Sequence, residues 1–153
     1  MIEFINKRFN PDIIEFHNIA KEMAKSVGYS AKLKVDKKLA QLLRLRVAQQ
    51  NECAYCIILH SKTARELGID EAKVDNISSW YNSELFSQKE RVALEYCDIL
   101  NDGKSKDFQT YHEKLEKYFD EVEIAEIAAI VINMNVWTRL KLAQGATPKK
   151  KEK

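Results

Sequence analysis

Glycine and proline are scarce in this sequence, and this scarcity constrains its fold more than any other feature. The 153 residues include four Gly and two Pro, which is few for the frequent turns of a strand-rich domain. Apolar residues instead recur at intervals of three or four, as at Leu39, Leu42, Leu43, Leu45 and Val47. Because this spacing places side chains on one face of a helix, we predict an all-α fold.

Seven helices are predicted from apolar spacing and capping residues. The stretch SQKE, Ser87 to Glu90, places a glutamate three residues after a serine, so that each side chain can bond the other's backbone N–H at a helix start. The predicted helices span about residues 11–27, 36–50, 51–67, 70–80, 87–100, 106–119 and 121–143. No alternating strand pattern, internal repeat or interdomain linker is visible. We therefore predict a single-domain helical bundle.

The chain is divided into a domain, residues 1–146, and a basic tail, residues 147–153. The last five residues carry a net charge of +3, so the other 148 residues carry −1. A nearly neutral body lacks the basic surface that nucleic-acid binding requires. The tail is expected to be a disordered end.

Neither a signal peptide nor a membrane span is expected. Glu3, Lys7 and Arg8 interrupt any apolar run at the start. The longest apolar run, Ile127 to Ile132, is far shorter than the roughly 20 residues of a bilayer span. We expect a cytoplasmic protein with no membrane partner. Thiols stay reduced there, so a close cysteine pair is more often catalytic or metal-binding than structural.

The last predicted helix is apolar at nearly every position from Ile124 to Val136. A helix without a broad polar face must be covered on more than one side. We expect it to lie at an interface between subunits of a homo-oligomer. A central position within one chain is the alternative.

Two cysteines and a histidine form the motif NECAYCIILH, Asn51 to His60. At helical spacing, Cys53, Cys56 and His60 share one face. Asn51 is a suitable N-cap, which would place both cysteines in the first turn. The positive end of the helix dipole lowers a thiol pKa there and so increases the reactive thiolate.

This motif contains the groups needed to reduce a peroxide. His60 can accept the proton of Cys56 or stabilise its anion. After one sulfur attacks the peroxide oxygen and becomes a sulfenic acid, the other can condense with it to a disulfide. No cofactor is required for this chemistry.

Two other interpretations of the motif are weaker. Structural zinc needs four ligands, but the remaining candidates Cys97, His17 and His112 lie at irregular separations, so no metal is expected. Cysteines can also simply fill a core, and Cys97 is expected to do so. For the pair, the histidine four residues on makes this interpretation less favourable.

Three stretches resemble one known family. They are LLRLRVAQQNECAYCIILHSKTARELGID, LFSQKERVALEYCDIL and INMNVWTRLKLA. Together they are similar to the carboxymuconolactone decarboxylase superfamily, in its alkylhydroperoxidase D (AhpD)-like branch, over about residues 39–143. The resemblance implies an all-helical fold that assembles into trimers or hexamers.

The resemblance also implies residue roles. Cys56 would attack the peroxide, Cys53 would resolve the sulfenic acid, and His60 would activate the thiol. A dithiol reductant, either a lipoyl or a thioredoxin-like protein, would restore the reduced pair.

The sequence departs from the family pattern at three auxiliary positions. Gln41 stands where a relay glutamate is usual, Glu52 where glycine is frequent, and Tyr55 where some members have histidine. An amide cannot exchange a proton near pH 7, so the relay loses its general base, an effect of about 10²–10⁴ in rate.

The function predicted is an AhpD-like thiol peroxidase or disulfide oxidoreductase, of reduced activity because of Gln41. A lactone decarboxylase is an alternative, which would use His60 and need no cysteine pair. A non-catalytic redox sensor or assembly protein is another, in which the disulfide changes the oligomeric state.

Overall fold

The computed structural model describes residues 1–152. In that part of the chain it contains seven α-helices and one two-stranded antiparallel sheet. The strands are β1 (Ile2–Asn6) and β2 (Ala146–Lys150), and the helices are α1 (Phe16–Lys25), α2 (Lys37–Gln50), α3 (Ala54–Glu66), α4 (Glu71–Asn76), α5 (Gln88–Asp102), α6 (Phe108–Glu116) and α7 (Glu121–Gln144). The predicted single-domain bundle of about seven helices is confirmed.

Helix α2 lies at the centre of the bundle, between α3, α5 and α7. Leu42, Leu43 and Val47 are completely buried, which explains why this helix is apolar on several faces. Helix α7 likewise contacts α1, α2, α3, α5 and α6. Other helices of the same chain therefore cover the apolar faces of α7. The trimer or hexamer stays a prediction.

The capping box predicted at Ser87 is present at the start of α5. The Ser87 hydroxyl accepts from the Glu90 backbone N–H at 3.2 Å, and the Glu90 carboxylate accepts from the Ser87 N–H at 2.9 Å. None of the helices in residues 1–152 has the length and apolar character that crossing a membrane requires.

The two strands were not predicted, and the structure corrects the expected disordered tail as far as Lys150. Strand β1 pairs antiparallel with β2, with Phe4 opposite Pro148. All five β1 side chains are exposed, so their sequence carries no inward–outward alternation. Gly145, at φ 73°, ends α7 and accepts through its carbonyl from the Lys7 N–H. Long-range backbone pairing of this kind leaves no periodic signal.

The predicted first helix is divided in the structure. A 3-10 turn at Pro11–Ile13 is followed by extended backbone at Ile14 and then by α1. Ile13, Ile14 and Ile19 are 70%, 65% and 62% exposed. Apolar spacing in this stretch therefore marks an exposed surface. In the predicted homo-oligomer, a second subunit could cover this surface. Similarly, α4 ends early and a 3-10 helix, Ile77–Asn82, follows it.

Candidate active site

The start of α3 positions the cysteine pair, and it differs from the prediction. Cys53 is the N-cap of α3, and its sulfur accepts from the Cys56 backbone N–H at 3.3 Å. The expectation that Asn51 caps α3 is wrong. Asn51 ends α2, and its side-chain oxygen accepts from the Asn101 amide at 3.0 Å. Glu52, at φ 53°, adopts a left-handed conformation that separates the two helices.

Cys53 and Cys56 form a disulfide in this structure. Their Cα atoms are 5.2 Å apart, within the range that a disulfide can span. Both side chains are almost fully buried, at 1% and 3% exposure. The pair therefore occupies a protected position at the positive end of α3.

A cavity of about 440 Å³ adjoins Cys56 and not Cys53. Its volume lies in the range of small-molecule sites. Helix α3 contributes Tyr55, Cys56, Leu59 and His60 to the wall, and α7 contributes Asn133, Met134, Trp137 and Lys141. A small organic molecule in this cavity would reach the disulfide from the Cys56 side.

Tyr29 and Gln41 contact His60, and Arg44 in turn holds Gln41. The Tyr29 hydroxyl lies 2.5 Å from His60 Nδ1. The Gln41 amide nitrogen lies 3.4 Å from the same nitrogen and donates to the His60 carbonyl at 2.9 Å. Arg44 donates to the Gln41 oxygen at 3.1 Å. The structure thus brings His60 together with Gln41, the residue at the relay position.

The orientation of the Gln41 amide favours one tautomer of His60. A guanidinium can only donate and a carbonyl can only accept, so Arg44 and the His60 carbonyl fix which end of the amide faces the ring. The NH₂ end therefore faces Nδ1. We infer that Nδ1 then acts as an acceptor and that the proton of the neutral ring lies on Nε2. In this state His60 offers a donor, not a base, on its other side.

Comparison with known proteins identifies the family of this chain. The family model described as the carboxymuconolactone decarboxylase family matches residues 15–98, more than half of the chain. The chain belongs to the carboxymuconolactone decarboxylase family. It is 27% identical over 138 residues to the uncharacterized protein YdfG of Bacillus subtilis (strain 168), covering 86% of this chain and 93% of YdfG.

Two solved structures show that this member of the family has an AhpD-like fold. One is a protein of unknown function from Agrobacterium tumefaciens, suggested to be an antioxidant defence protein AhpD. It has a TM-score of 0.79 and 23% identity, and the match covers 86% of this chain and 88% of that one. The other is the debrominase Bmp8, with a TM-score of 0.73 and 20% identity, covering 85% and 69%.

Burial keeps His60 neutral. Desolvation and, to a smaller extent, the positive charge of Arg44 lower its pKa to about 4. Burial also lowers the pKa of Arg44, against the opposing influence of Tyr29. At neutral pH the ring is therefore uncharged, and it can help a thiolate only by hydrogen bonding.

This lowered pKa predicts a loss of stability in mild acid. The unfolded chain, with an ordinary histidine pKa near 6.5, binds more protons than the folded chain between pH 6.5 and about 4. Stability from His60 is complete above pH 6.5 and falls as the pH approaches 4. We expect urea unfolding to show a loss of about 2 kcal/mol between pH 7.5 and 5. A His60→Gln variant with the same pH dependence would contradict this.

The remaining predicted residues lie at different distances from the chemistry. Tyr55 lies in the cavity wall and packs edge-on against Phe4, with ring centroids 4.6 Å apart. Glu52 is exposed and is not part of the wall. Cys97 is buried in the core, as expected, and burial raises the pKa of its thiol. No cluster of three His, Cys, Asp or Glu suited to a metal ion occurs in residues 1–152.

Sequence reasoning missed Tyr29 and Arg44. Tyr29 lies between α1 and α2, where no periodicity links it to His60. Arg44 carried a signal that could have been used, because it lies three residues after Gln41 in an otherwise apolar segment of α2. Two polar residues on one face of a buried helix indicate a shared polar contact.

Proposed function

We propose that this member of the family is a thiol peroxidase that reduces organic hydroperoxides through Cys56 and Cys53. One observation carries the proposal: the closed Cys53–Cys56 pair presents Cys56, together with His60, to a cavity large enough for a small organic molecule. The family membership and the AhpD-like fold support the same class of activity.

The proposed oxidation proceeds from the reduced pair. The Cys56 thiolate attacks the terminal oxygen of the hydroperoxide, the O–O bond breaks, and the alkoxide leaves as an alcohol after taking a proton. The Cys56 sulfenic acid then reacts with the Cys53 thiol. An S–S bond forms and water leaves. The net change is oxidation of two thiols and reduction of the hydroperoxide to alcohol and water.

His60 supplies the proton for the departing alkoxide. Its Nε2–H donates to the alkoxide while Nδ1 takes the proton of the Tyr29 hydroxyl, 2.5 Å away. Tyr29 is half-exposed, so solvent can return that proton. This relay works as an acid and leaves deprotonation of Cys56 to solvent and to the positive end of α3.

A dithiol reductant, lipoyl or thioredoxin-like, completes the proposed cycle. Its first thiolate attacks Cys56, the sulfur beside the cavity, and Cys53 leaves as a thiolate. Its second thiolate then attacks the mixed disulfide, so that Cys56 leaves as a thiolate and the reductant becomes a disulfide. The Cys56 backbone N–H, which already contacts the Cys53 sulfur at 3.3 Å, stabilises Cys53 as the first leaving group. Thiols of lower pKa leave faster, so the N-cap position favours attack in this direction.

The test is steady-state consumption of cumene hydroperoxide by the reduced protein with dihydrolipoamide as donor. We expect turnover, and mass spectrometry after peroxide treatment should show a loss of two hydrogens confined to the peptide that contains Cys53 and Cys56. A Cys97→Ser variant is the matched control and should behave as wild type. Unreacted thiols in excess hydroperoxide would overturn the proposal. A shift in size-exclusion elution on oxidation without turnover would support a redox sensor.

Reductive dehalogenation is a second candidate, favoured by the aromatic wall of the cavity. Tyr55 and Trp137 flank the space beside Cys56, and the debrominase Bmp8 shares the fold. In such a reaction an aryl bromide and the two thiols would give the arene, bromide, a proton and the disulfide. Release of bromide from a bromopyrrole, without peroxide consumption, would favour this candidate.

A further inference from the structure

The charges around the cavity beside Cys56 are all of one sign. Lys21, Lys25, Arg44 and Lys141 contribute to its wall. No aspartate or glutamate does so among residues 1–152. The other residues of the wall are mainly apolar or aromatic. A cavity of this composition suits a molecule with an apolar body and a negative group.

Lys141 is the cation best placed to bind that negative group. Its ammonium lies 4.7 Å from the centre of the Tyr55 ring and 5.7 Å from that of Trp137. No salt bridge within residues 1–152 includes it. The aromatic faces attract the charge of the ammonium. They do not replace the oxygen acceptors that its three N–H groups would normally find.

The charged groups near Lys141 leave it available to a ligand. Burial lowers the pKa of its ammonium, Asp12 raises it, and Lys21 lowers it. Asp12 is already bonded to His17, with 2.5 Å between Oδ1 and Nδ1. An incoming carboxylate would therefore meet a half-buried ammonium whose nearest carboxylate is engaged elsewhere.

Two unpartnered polar atoms belong to the same wall. Trp137 Nε1 and Asn133 Oδ1 are buried and have no hydrogen-bond partner in residues 1–152. Asn133 is 7% exposed. Because both atoms lie beneath the surface of the wall, a ligand in the cavity does not reach them, and recognition of its negative group rests on the cations.

We propose that the cavity binds organic hydroperoxides that carry a carboxylate, with the carboxylate at Lys141 and the hydroperoxide at Cys56. This inference rests on the proposed function for the identity of the reacting group. The apolar body would lie along Leu59, Met134 and Trp137.

Binding of unreactive probes tests the carboxylate site without peroxidase chemistry. Isothermal titration of the oxidised protein with octanoate and with 1-octanol should show octanoate binding about tenfold more tightly. Lys141→Met should bring the two affinities within about twofold of each other and leave 1-octanol unchanged. Lys89→Met is the matched control, because Lys89 lies 5.0 Å from the Phe119 ring centre and outside the cavity.

Kinetics separate failure of this inference from failure of the proposed function. A fatty-acid hydroperoxide should have a KM about tenfold below that of its methyl ester, with similar kcat, and Lys141→Met should remove the difference. Equal KM values with turnover of both overturn the inference and leave the peroxidase intact. If no hydroperoxide is consumed, the proposed peroxidase function is overturned. The octanoate titration then tests the carboxylate site by itself. Equal binding of octanoate and 1-octanol, or a preference unchanged in Lys141→Met, overturns that site.

Discussion

Cys56→Ser is expected to lower peroxide turnover by about 10³-fold or more, because it removes the nucleophile from the cavity wall. Cys56 is the one cysteine of the pair that adjoins the cavity. A serine hydroxyl has the same shape but forms no thiolate at neutral pH. The measurement is kcat/KM for cumene hydroperoxide with dihydrolipoamide as donor.

Cys53→Ser is the companion variant that separates the two roles. It should still reduce one equivalent of hydroperoxide, leaving a sulfenic acid on Cys56 that dimedone traps. It should then stop, because no resolving thiol remains. The reverse pattern would exchange the assigned roles. In that pattern Cys53→Ser is inert, and dimedone traps a sulfenic acid on Cys53 of the Cys56→Ser variant. Cys97→Ser should retain full activity, since Cys97 lies in the core.

The helices could be predicted because their signals are local. The apolar spacing of α2 and the capping box at Ser87 each depend on residues within one or two turns. The Cys53–Cys56–His60 face follows from helix geometry in the same way. The predicted helices agree with the structure to within a few residues, and Cys56 and His60 lie on α3 as expected, with Cys53 just before it as its N-cap.

Features that depend on distant residues could not be predicted. Asn51 is an ordinary capping residue by composition, but Asn101 of α5 and Thr138 of α7 occupy its side chain. The chain therefore turns through Glu52 before α3 begins at Ala54. The β1–β2 pairing joins residues at least 140 positions apart, and Tyr29 contacts His60 from 31 positions away. Packing decides each of these contacts, and local propensity carries no information about them.

The position of Gln41 shows what sequence reasoning could and could not give. The resemblance to the family pattern implied that a proton relay lacks its carboxylate. The structure adds the consequence: Gln41 is completely buried, held by Arg44, and directs its NH₂ group at His60 Nδ1. The substitution therefore does more than remove a base. With its NH₂ group facing Nδ1, Gln41 also favours the tautomer of His60 that carries the proton on Nε2.

Gln41→Glu is accordingly expected to raise kcat/KM for hydroperoxide by about 10²-fold. A carboxylate at this position accepts the His60 Nδ1 proton, so Nε2 becomes an acceptor that can take the proton of Cys56. The new charge also offsets Arg44, whose guanidinium lies 3.1 Å from the Gln41 oxygen. Because Arg44 contributes to the lowered pKa of His60, that pKa should rise toward its ordinary value. The tautomer and the pKa are measured from the ¹⁵N shifts of the His60 ring.

Two further variants test whether this gain comes from the proposed switch of tautomer. Gln88→Glu adds the same charge at the exposed first residue of α5 and should leave turnover unchanged. Tyr29→Phe should slow the wild type, where Tyr29 supplies the relay proton, and should cost much less in the Gln41→Glu background, where the carboxylate governs Nδ1. Such non-additivity is the signature of residues that act through one shared group. Equal losses in both backgrounds, or a Gln41→Glu variant whose ¹⁵N shifts still place the proton on Nε2, would mean that the amide does not set the state of His60.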